Sequence, residues 1–146
     1  MATINASVTI NSDISSYPTS ISKTMTMSKS ANPSVGLDET TGLRTKKFTT
    51  TTAAVIVEED ELTDAMAHKI YIRNTSTNRA NFFYVAYNGS AAAAATAETI
   101  GKLYGGDWML FPFDGAVGIT VASSTATETQ YLEYMVFADG IVAAKG

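Results

Sequence analysis

Apolar and polar residues alternate over several short stretches of the chain, which is typical of strands buried on one face. Near the N-terminus, Ile4, Ala6, Val8 and Ile10 share one face and Thr, Asn and Ser residues occupy the other. Turn residues separate further runs of this kind, so strands are predicted at 68–73, 82–87, 108–113, 117–122 and 130–138, with one long or two short strands in 43–57. The pattern predicts an all-β protein, an antiparallel β-sandwich of the jelly-roll or Greek-key type.

Residues 105–113 (Gly-Gly-Asp-Trp-Met-Leu-Phe-Pro-Phe) combine a turn with an apolar strand. Two glycines suit the turn, because glycine adopts positive φ without steric cost. In the strand that follows, large apolar side chains point to both sides. We therefore expect this strand to be covered on both faces. Together with the last strand it supplies the predicted core: Trp108, Leu110, Phe111, Phe113, Tyr134 and Val136.

Residues 11–34 are rich in Ser, Thr and Asn and contain two prolines. Their apolar residues are too sparse to build a core, so the segment is either a long surface loop or an extended arm lying on a neighbouring molecule. We favour the arm, since flexible methionine suits an adaptable contact. The chain is then divided into an N-terminal strand and arm (1–42) and a β-sandwich domain (43–146). The candidate contact residues of the arm are Ile14, Tyr17, Ile21, Met25 and Met27.

Two clusters of charge flank the segment 43–57, basic at its start and acidic (58–61) at its end. In one continuous strand, Arg44 and Glu58 would lie roughly 46 Å apart, at about 3.3 Å per residue, and could not pair within one copy. The clusters are then solvated strand ends, surfaces that match head-to-tail between copies, or, at the acidic end, a cation site. The candidate contact residues are Arg44, Lys46, Lys47, Glu58 and Glu59.

Composition narrows the classes of partner. The chain has 146 residues, enough for one domain, and its formal net charge of −4 argues against a nucleic-acid binder, which would show a basic stripe. Without cysteine it has no disulfides, which favours synthesis in a reducing compartment. The chain contains no run of 18 apolar residues, so no membrane span is predicted, and the N-terminus lacks the pattern of a signal peptide. We expect neither nucleic acid nor membrane as a partner.

No motif predicts a reaction. His68 is the only histidine, and neither a Gly-x-Ser-x-Gly elbow nor a phosphate-binding Gly-Lys-Ser/Thr pattern is present. We therefore expect a protein that is not an enzyme and uses no cofactor or metal. Aromatic side chains could stack on sugar rings if they were exposed, although we favour core or subunit-contact roles for them: Tyr84, Tyr87, Tyr104, Trp108 and Tyr131.

Three stretches of the C-terminal half carry a resemblance to a known family. They are 68–74 (His-Lys-Ile-Tyr-Ile-Arg-Asn), 105–115 (Gly-Gly-Asp-Trp-Met-Leu-Phe-Pro-Phe-Asp-Gly) and 131–137 (Tyr-Leu-Glu-Tyr-Met-Val-Phe). This order of motifs resembles small β-sandwich proteins of tailed-bacteriophage virions, the capsid decoration or cement proteins, particularly of marine and cyanobacterial phages. The resemblance covers about half of the chain and does not include the first 60 residues.

The resemblance implies a structural virion protein made in the host cytoplasm. Such a protein binds the assembled shell of major capsid protein and its own copies, stabilises subunit junctions, and works as a homo-oligomer, with a trimer favoured over a dimer. Capsid decoration comes ahead of a tail or neck component. The alternative from another class is a carbohydrate-binding β-sandwich module of a phage fibre or adhesin.

Overall fold

The computed structural model describes residues 3–13, 18–28, 39–59, 61–62, 68–87 and 99–138, and the statements below concern these residues. They form strands and loops with no helix. The strands are β1 (Thr3–Ser12), β2 (Thr19–Ser28), β3 (Glu39–Thr40), β4 (Arg44–Phe48), β5 (Ala54–Val57), β6 (His68–Asn74), β7 (Phe82–Tyr87), β8 (Thr99–Tyr104), β9 (Trp108–Phe113), β10 (Ile119–Ser123) and β11 (Gln130–Ala138).

Two antiparallel sheets face each other across one core. The small sheet has the order β5-β10-β7-β8, and the large sheet has the order β3-β11-β6-β9, with β4 also paired to β11. Phe48 of the large sheet and Phe83 of the small sheet meet with their ring centroids 5.0 Å apart. The prediction of an all-β, antiparallel protein is confirmed, and the arrangement is that of a β-sandwich.

Alternation along each central strand explains why these residues form sheets. In β6, Ile70 and Ile72 are fully buried, while Tyr71 between them is only partly covered. Strand β11 repeats the pattern with Leu132, Tyr134 and Val136 on its inner face. Because successive side chains point to opposite faces, one register buries all of these residues in the same core.

The segment 43–57 forms two strands rather than one, and they lie in different sheets. The chain turns between them, so the acidic residues return to the basic cluster. Arg44 pairs with Glu61 at 3.6 Å, and the Lys46 ammonium donates to the carbonyl oxygen of Val55 at 2.7 Å. The separation of roughly 46 Å, which assumed a continuous strand, therefore does not apply, and the two clusters do meet within one copy.

Strand β9 lies at an edge of the large sheet as the described residues form it, and its outer face is only partly covered, contrary to the prediction that both faces are. The prediction of Trp108 as a core residue is wrong, because 50% of its surface is exposed. Leu110 is half-buried on the same outer face, so its assignment to the core is also wrong. Phe111 is half-buried and packs against the core from the inner face. The core itself contains Phe113, Tyr134 and Val136.

The N-terminal residues form a separate two-stranded hairpin, in which β1 pairs with β2 along its whole length. An extended arm is not confirmed, since residues 19–28 fold back on residues 3–12. Ile14 and Tyr17 lie outside the described residues. The division of the chain near residue 42 stays a prediction.

Candidate binding surface

The turn 105–107 fixes the corner at which the chain passes from β8 in the small sheet to β9 in the large sheet. Gly106 adopts a φ of 86°, a region that glycine occupies without steric cost. Gly105 lies against a neighbouring loop, and a methyl group there would collide with the carbonyl oxygen of Asn78. The glycine pair seen in the sequence is thus required both by backbone conformation and by close packing.

Asn74, at the end of β6, ties this corner to both sheets. Its buried side-chain amide donates to the carbonyl oxygens of Leu103 (3.0 Å) and Asn81 (3.3 Å) and accepts from the backbone N–H of Ser76 (3.0 Å). Its backbone N–H donates to the carbonyl oxygen of Asp107 at 3.0 Å. All the polar atoms of this side chain are therefore used to hold the turn that precedes Trp108.

Trp108 begins β9 on the outer face of the large sheet, the face directed away from the core. Tyr71 of β6 lies beside it, with the ring centroids 6.4 Å apart. Arg73, the cross-strand neighbour of Trp108, forms an ion pair with Glu133 at 3.7 Å. An exposed indole next to a second aromatic ring gives this corner a sizeable apolar surface.

A cleft of about 390 Å³ separates the hairpin from the outer face of β9. Ala6, Val8 and Met25 line it from the hairpin side, and Leu110 and Pro112 are among the residues that line it from the sheet. Both walls are largely apolar. The hairpin therefore covers the outer face of β9 only in part, and the space between them is open to a ligand or partner.

The apolar face of the hairpin is packed at its base and open toward its tip. Met27 is 3% exposed, Met25 is 38% exposed, and the cross-strand pair Ile10 and Ile21 is exposed by 51% and 44%. This face can bury further apolar area only against something outside the described residues. Met27 is the exception among the predicted contact residues, because it is already buried in the free chain and cannot contact a partner.

The opposite face of the hairpin is polar, uncharged and exposed. Side chains of facing residues bond across the two strands, with distances of 2.7 to 3.4 Å, in the pairs Ser7–Thr24, Thr9–Ser22, Asn5–Thr26 and Asn11–Ser20. Such cross-strand pairs stabilise a sheet. They explain how a segment rich in Ser, Thr and Asn forms an ordered hairpin, while Ala6, Val8 and Met25 face the cleft.

Two lysines stand at the cleft, Lys23 from the hairpin and Lys69 from β6. Neither ammonium group has an ion-pair partner within the described part of the chain. The arginines nearby differ, since Arg73 and Arg79 are each paired with a carboxylate. The cleft therefore combines apolar walls with uncompensated positive charge.

A second groove, of about 420 Å³, lies on the other side of β9, between its inner face and β8. Its walls include Gly101 and Leu103 of β8 and Met109 of β9, and Trp108 reaches this groove as well as the cleft. Gly101 meets no other atom within 4 Å at the position of a Cβ, so no packing contact requires a glycine there. The free edge of β9 is thus flanked by one concavity on each side.

The charged contact candidates lie away from this corner. Arg44, Lys46 and Lys47 belong to β4, at the opposite edge of the large sheet. Glu58 and Glu59 are exposed, and the backbone N–H of Glu58 donates to the Glu61 carboxylate at 3.1 Å. Arg44 and Lys46 already have partners within the chain. The structure therefore separates these residues from Ile21 and Met25 and gives them no common surface.

Other chemistry is sparse in the described ranges. His68 is fully buried and packs beside Phe113, with ring centroids 5.8 Å apart. No group of three or more His, Cys, Asp or Glu side chains in these ranges could hold a metal ion. Among the same residues no helix has the length and apolar character needed to cross a membrane.

Comparison with protein-family models, with curated proteins and with solved structures found no match to this chain.

Proposed function

We propose that this chain is a structural, non-enzymatic protein that works by binding other proteins through the hairpin and the corner at Trp108. The observation behind this proposal is the exposure of large apolar side chains on neighbouring elements: Ile10, Ile21, Met25 and Trp108. Surfaces of this kind on a folded domain mark sites of association. Trp is also enriched among the residues that dominate binding energy.

The setting we propose is a bacteriophage virion, with the chain as a decoration or cement protein of the capsid shell. Support comes from the three stretches that carry the resemblance, which fall on β6, β9 and β11 and include the turn before β9. These strands are adjacent in the large sheet, in the order β11-β6-β9. The resemblance therefore follows one continuous surface of the molecule and not scattered segments.

We also propose that β4 to β11 form a jelly roll. The strand orders β4-β11-β6-β9 and β5-β10-β7-β8 support this. The antiparallel pairs β4·β11, β5·β10, β6·β9 and β7·β8 are nested in the sequence and belong alternately to the large and the small sheet. Jelly rolls are frequent among viral capsid proteins and lectins. The fold therefore suits both the virion role and the carbohydrate-binding alternative, and only the site can separate them.

The proposed protein binds assembled shell subunits and its own copies, as a trimer in preference to a dimer. Immunogold electron microscopy of virions purified from cells that express the gene tests this. Gold over the capsid shell supports decoration. Gold confined to tails, necks or fibres, or no labelling of particles, would reject it.

Carbohydrate binding is the second candidate, and one observation favours it: Trp108, Tyr104 and Tyr131 are all exposed. An exposed indole beside a groove can stack on a sugar ring. Tyr84 and Tyr87 are less suited, because they are half-buried and pack on Phe82 and Phe111. A glycan array with the isolated protein separates the two functions, since a sugar-binding module binds its ligand without any shell.

A further inference from the structure

The outer edge of β9 has no strand partner among the described residues. On one side β9 pairs with β6, and on the other side the large sheet ends. The hairpin does not fill this place, because β1 and β2 pair only with each other. Edge strands present a row of unpaired N–H and C=O groups that can pair with another chain.

The register shows which groups of β9 face this edge. The N–H of Asn74 donates to the carbonyl oxygen of Asp107, so Asp107 faces β6. Backbone groups alternate in direction along an antiparallel strand, so Trp108, Leu110 and Pro112 point their backbone groups away from β6. Because proline has no N–H, Pro112 on the free side of β9 removes no hydrogen bond between β9 and β6. The edge therefore offers the N–H groups of Trp108 and Leu110 and the carbonyls beside them.

Each face of this edge has a concavity next to it. Side chains of a strand added to β9 would point alternately to the two faces of the sheet. Those on the outer face would enter the cleft beneath the hairpin, and those on the inner face would enter the groove beside Gly101 and Met109. Main-chain bonds along an edge, with pockets for alternate side chains, are the recognition mode of strand addition.

Resting on the proposed function, we propose that the edge of β9 receives an extended segment of the shell protein, apolar at alternate positions and acidic near its ends. A peptide backbone supplies donors and acceptors at the spacing of this edge, whereas a lipid chain has none. The acidic character follows from Lys23 and Lys69, which have no ion-pair partner in the described residues. A second copy fits poorly, because the two carboxylates that flank its own β9 are already engaged, Asp107 by Arg79 at 3.1 Å and Asp114 by the N–H of Ala116 at 3.0 Å.

The test uses the full-length protein and a short synthetic peptide in which Val and Thr alternate between terminal glutamates. Trp108, the only tryptophan, reports binding by fluorescence. We expect the peptide to shift this emission and to slow hydrogen exchange at the amides of Trp108 and Leu110. The same peptide with terminal lysines should bind about tenfold more weakly. Unchanged exchange at both amides at saturating peptide concentrations would overturn the proposal.

Two variants separate the edge from the general apolar surface. Leu110→Pro removes an outward N–H and no bond to β6, and Gly101→Val narrows the inner groove where nothing lies within 4 Å of the added Cβ. Each should weaken peptide binding by about tenfold or more. Gly101→Val keeps the test valid if Leu110→Pro does not fold. Wild-type peptide affinity in Gly101→Val would contradict the proposal.

Charge is tested by Lys69→Glu, with Lys47→Glu as the matched control on the opposite edge of the same sheet. Only Lys69→Glu should shift the preference from the glutamate-ended to the lysine-ended peptide. An equal effect of both variants would contradict a local role for Lys69. Protection of the Trp108 and Leu110 amides that grows with protein concentration alone would assign the edge to a second copy and overturn the proposal.

Binding of the purified protein to capsid shells that lack it distinguishes this inference from the proposed function. Wild-type occupancy by both Leu110→Pro and Gly101→Val would overturn the edge site and leave the shell-binding role intact. Failure of the wild-type protein to bind shells, with peptide binding unimpaired, would overturn the shell-binding role and, with it, the shell protein as the occupant of the edge.

Discussion

Replacing Asn74 by alanine tests how the corner at Trp108 is held. The substitution removes three side-chain hydrogen bonds, those to Leu103 (3.0 Å), Asn81 (3.3 Å) and Ser76 (3.0 Å). A hydrogen bond contributes about 1 kcal/mol net, and a buried group left without a partner costs about 1–3 kcal/mol. The carbonyl of Asn81 also accepts from the N–H of Gly105, so losing the bond from Asn74 to Asn81 matters least. We expect the free energy of unfolding to fall by about 2–4 kcal/mol.

Urea unfolding followed by circular dichroism measures this change. The matched control is Asn78→Ala in the same loop, where an exposed side chain accepts one bond from the N–H of Ala80 at 3.0 Å. The control should lose about 1 kcal/mol or less. Asn74→Asp should be less stable than Asn74→Ala at neutral pH, because a carboxylate cannot donate to either carbonyl and would be ionised in a buried site. Equal stability of Asn74→Ala and Asn78→Ala would refute the role given to Asn74.

Four further outcomes follow from burial and packing. Gly105→Ala should lose more than about 3 kcal/mol of stability in the same assay, because its methyl group has no space; near-wild-type stability would contradict the packing. Trp108→Ala, at a half-exposed site, should cost only about 1–2 kcal/mol in urea, and a loss above that would mean a buried indole. Ile10→Ser with Ile21→Ser should leave stability within about 1 kcal/mol and reduce shell binding in co-sedimentation, and undiminished binding would exclude the hairpin tip. Deleting residues 1–34 should leave a cooperative unfolding transition, because the core cluster contains no hairpin residue; a chain without that transition would show that the hairpin belongs to the folding unit.

The sandwich strands are predictable because short runs of apolar and aromatic residues are separated by turn residues. The predicted segments 82–87, 108–113 and 130–138 coincide with β7, β9 and β11. In β11 burial alternates strictly, yet Gln130 is on the buried face, and Tyr131 and Phe137 are on the other, so the sequence predicts this strand but not which of its faces is covered. Local pattern is sufficient to predict that such a strand is present.

The hairpin was missed because its second strand carries little apolar signal. Between Ile21 and Met25 the same face holds Lys23, so alternation is interrupted where a strand would be recognised. What stabilises β2 is the row of polar pairs with β1, and a pair such as Ser7–Thr24 joins residues 17 positions apart. Such a partner becomes visible only when the register is known.

The misplacement of Trp108 has a different cause. A strand that is apolar on both faces is read as buried on both, yet apolar residues also occur on faces that bind something outside the chain. The edge position of β9 depends on long-range pairing, and neither Pro112 nor the glycines before the strand determine which edge is open. The sequence pattern therefore predicts β9 as a strand but does not predict that it lies at a sheet edge with Trp108 exposed.

The exposure of Trp108 at a sheet edge raises the question of whether its partner is a sugar or a protein. A sugar could stack on Trp108 and ignore the backbone, and it would then be indifferent to the N–H of Leu110. An added strand needs that N–H and needs the indole only as one wall of the cleft. Comparing Leu110→Pro with Trp108→Ala therefore separates the two: loss of partner binding in the proline variant with its indole intact favours strand addition, whereas loss only in the alanine variant favours stacking.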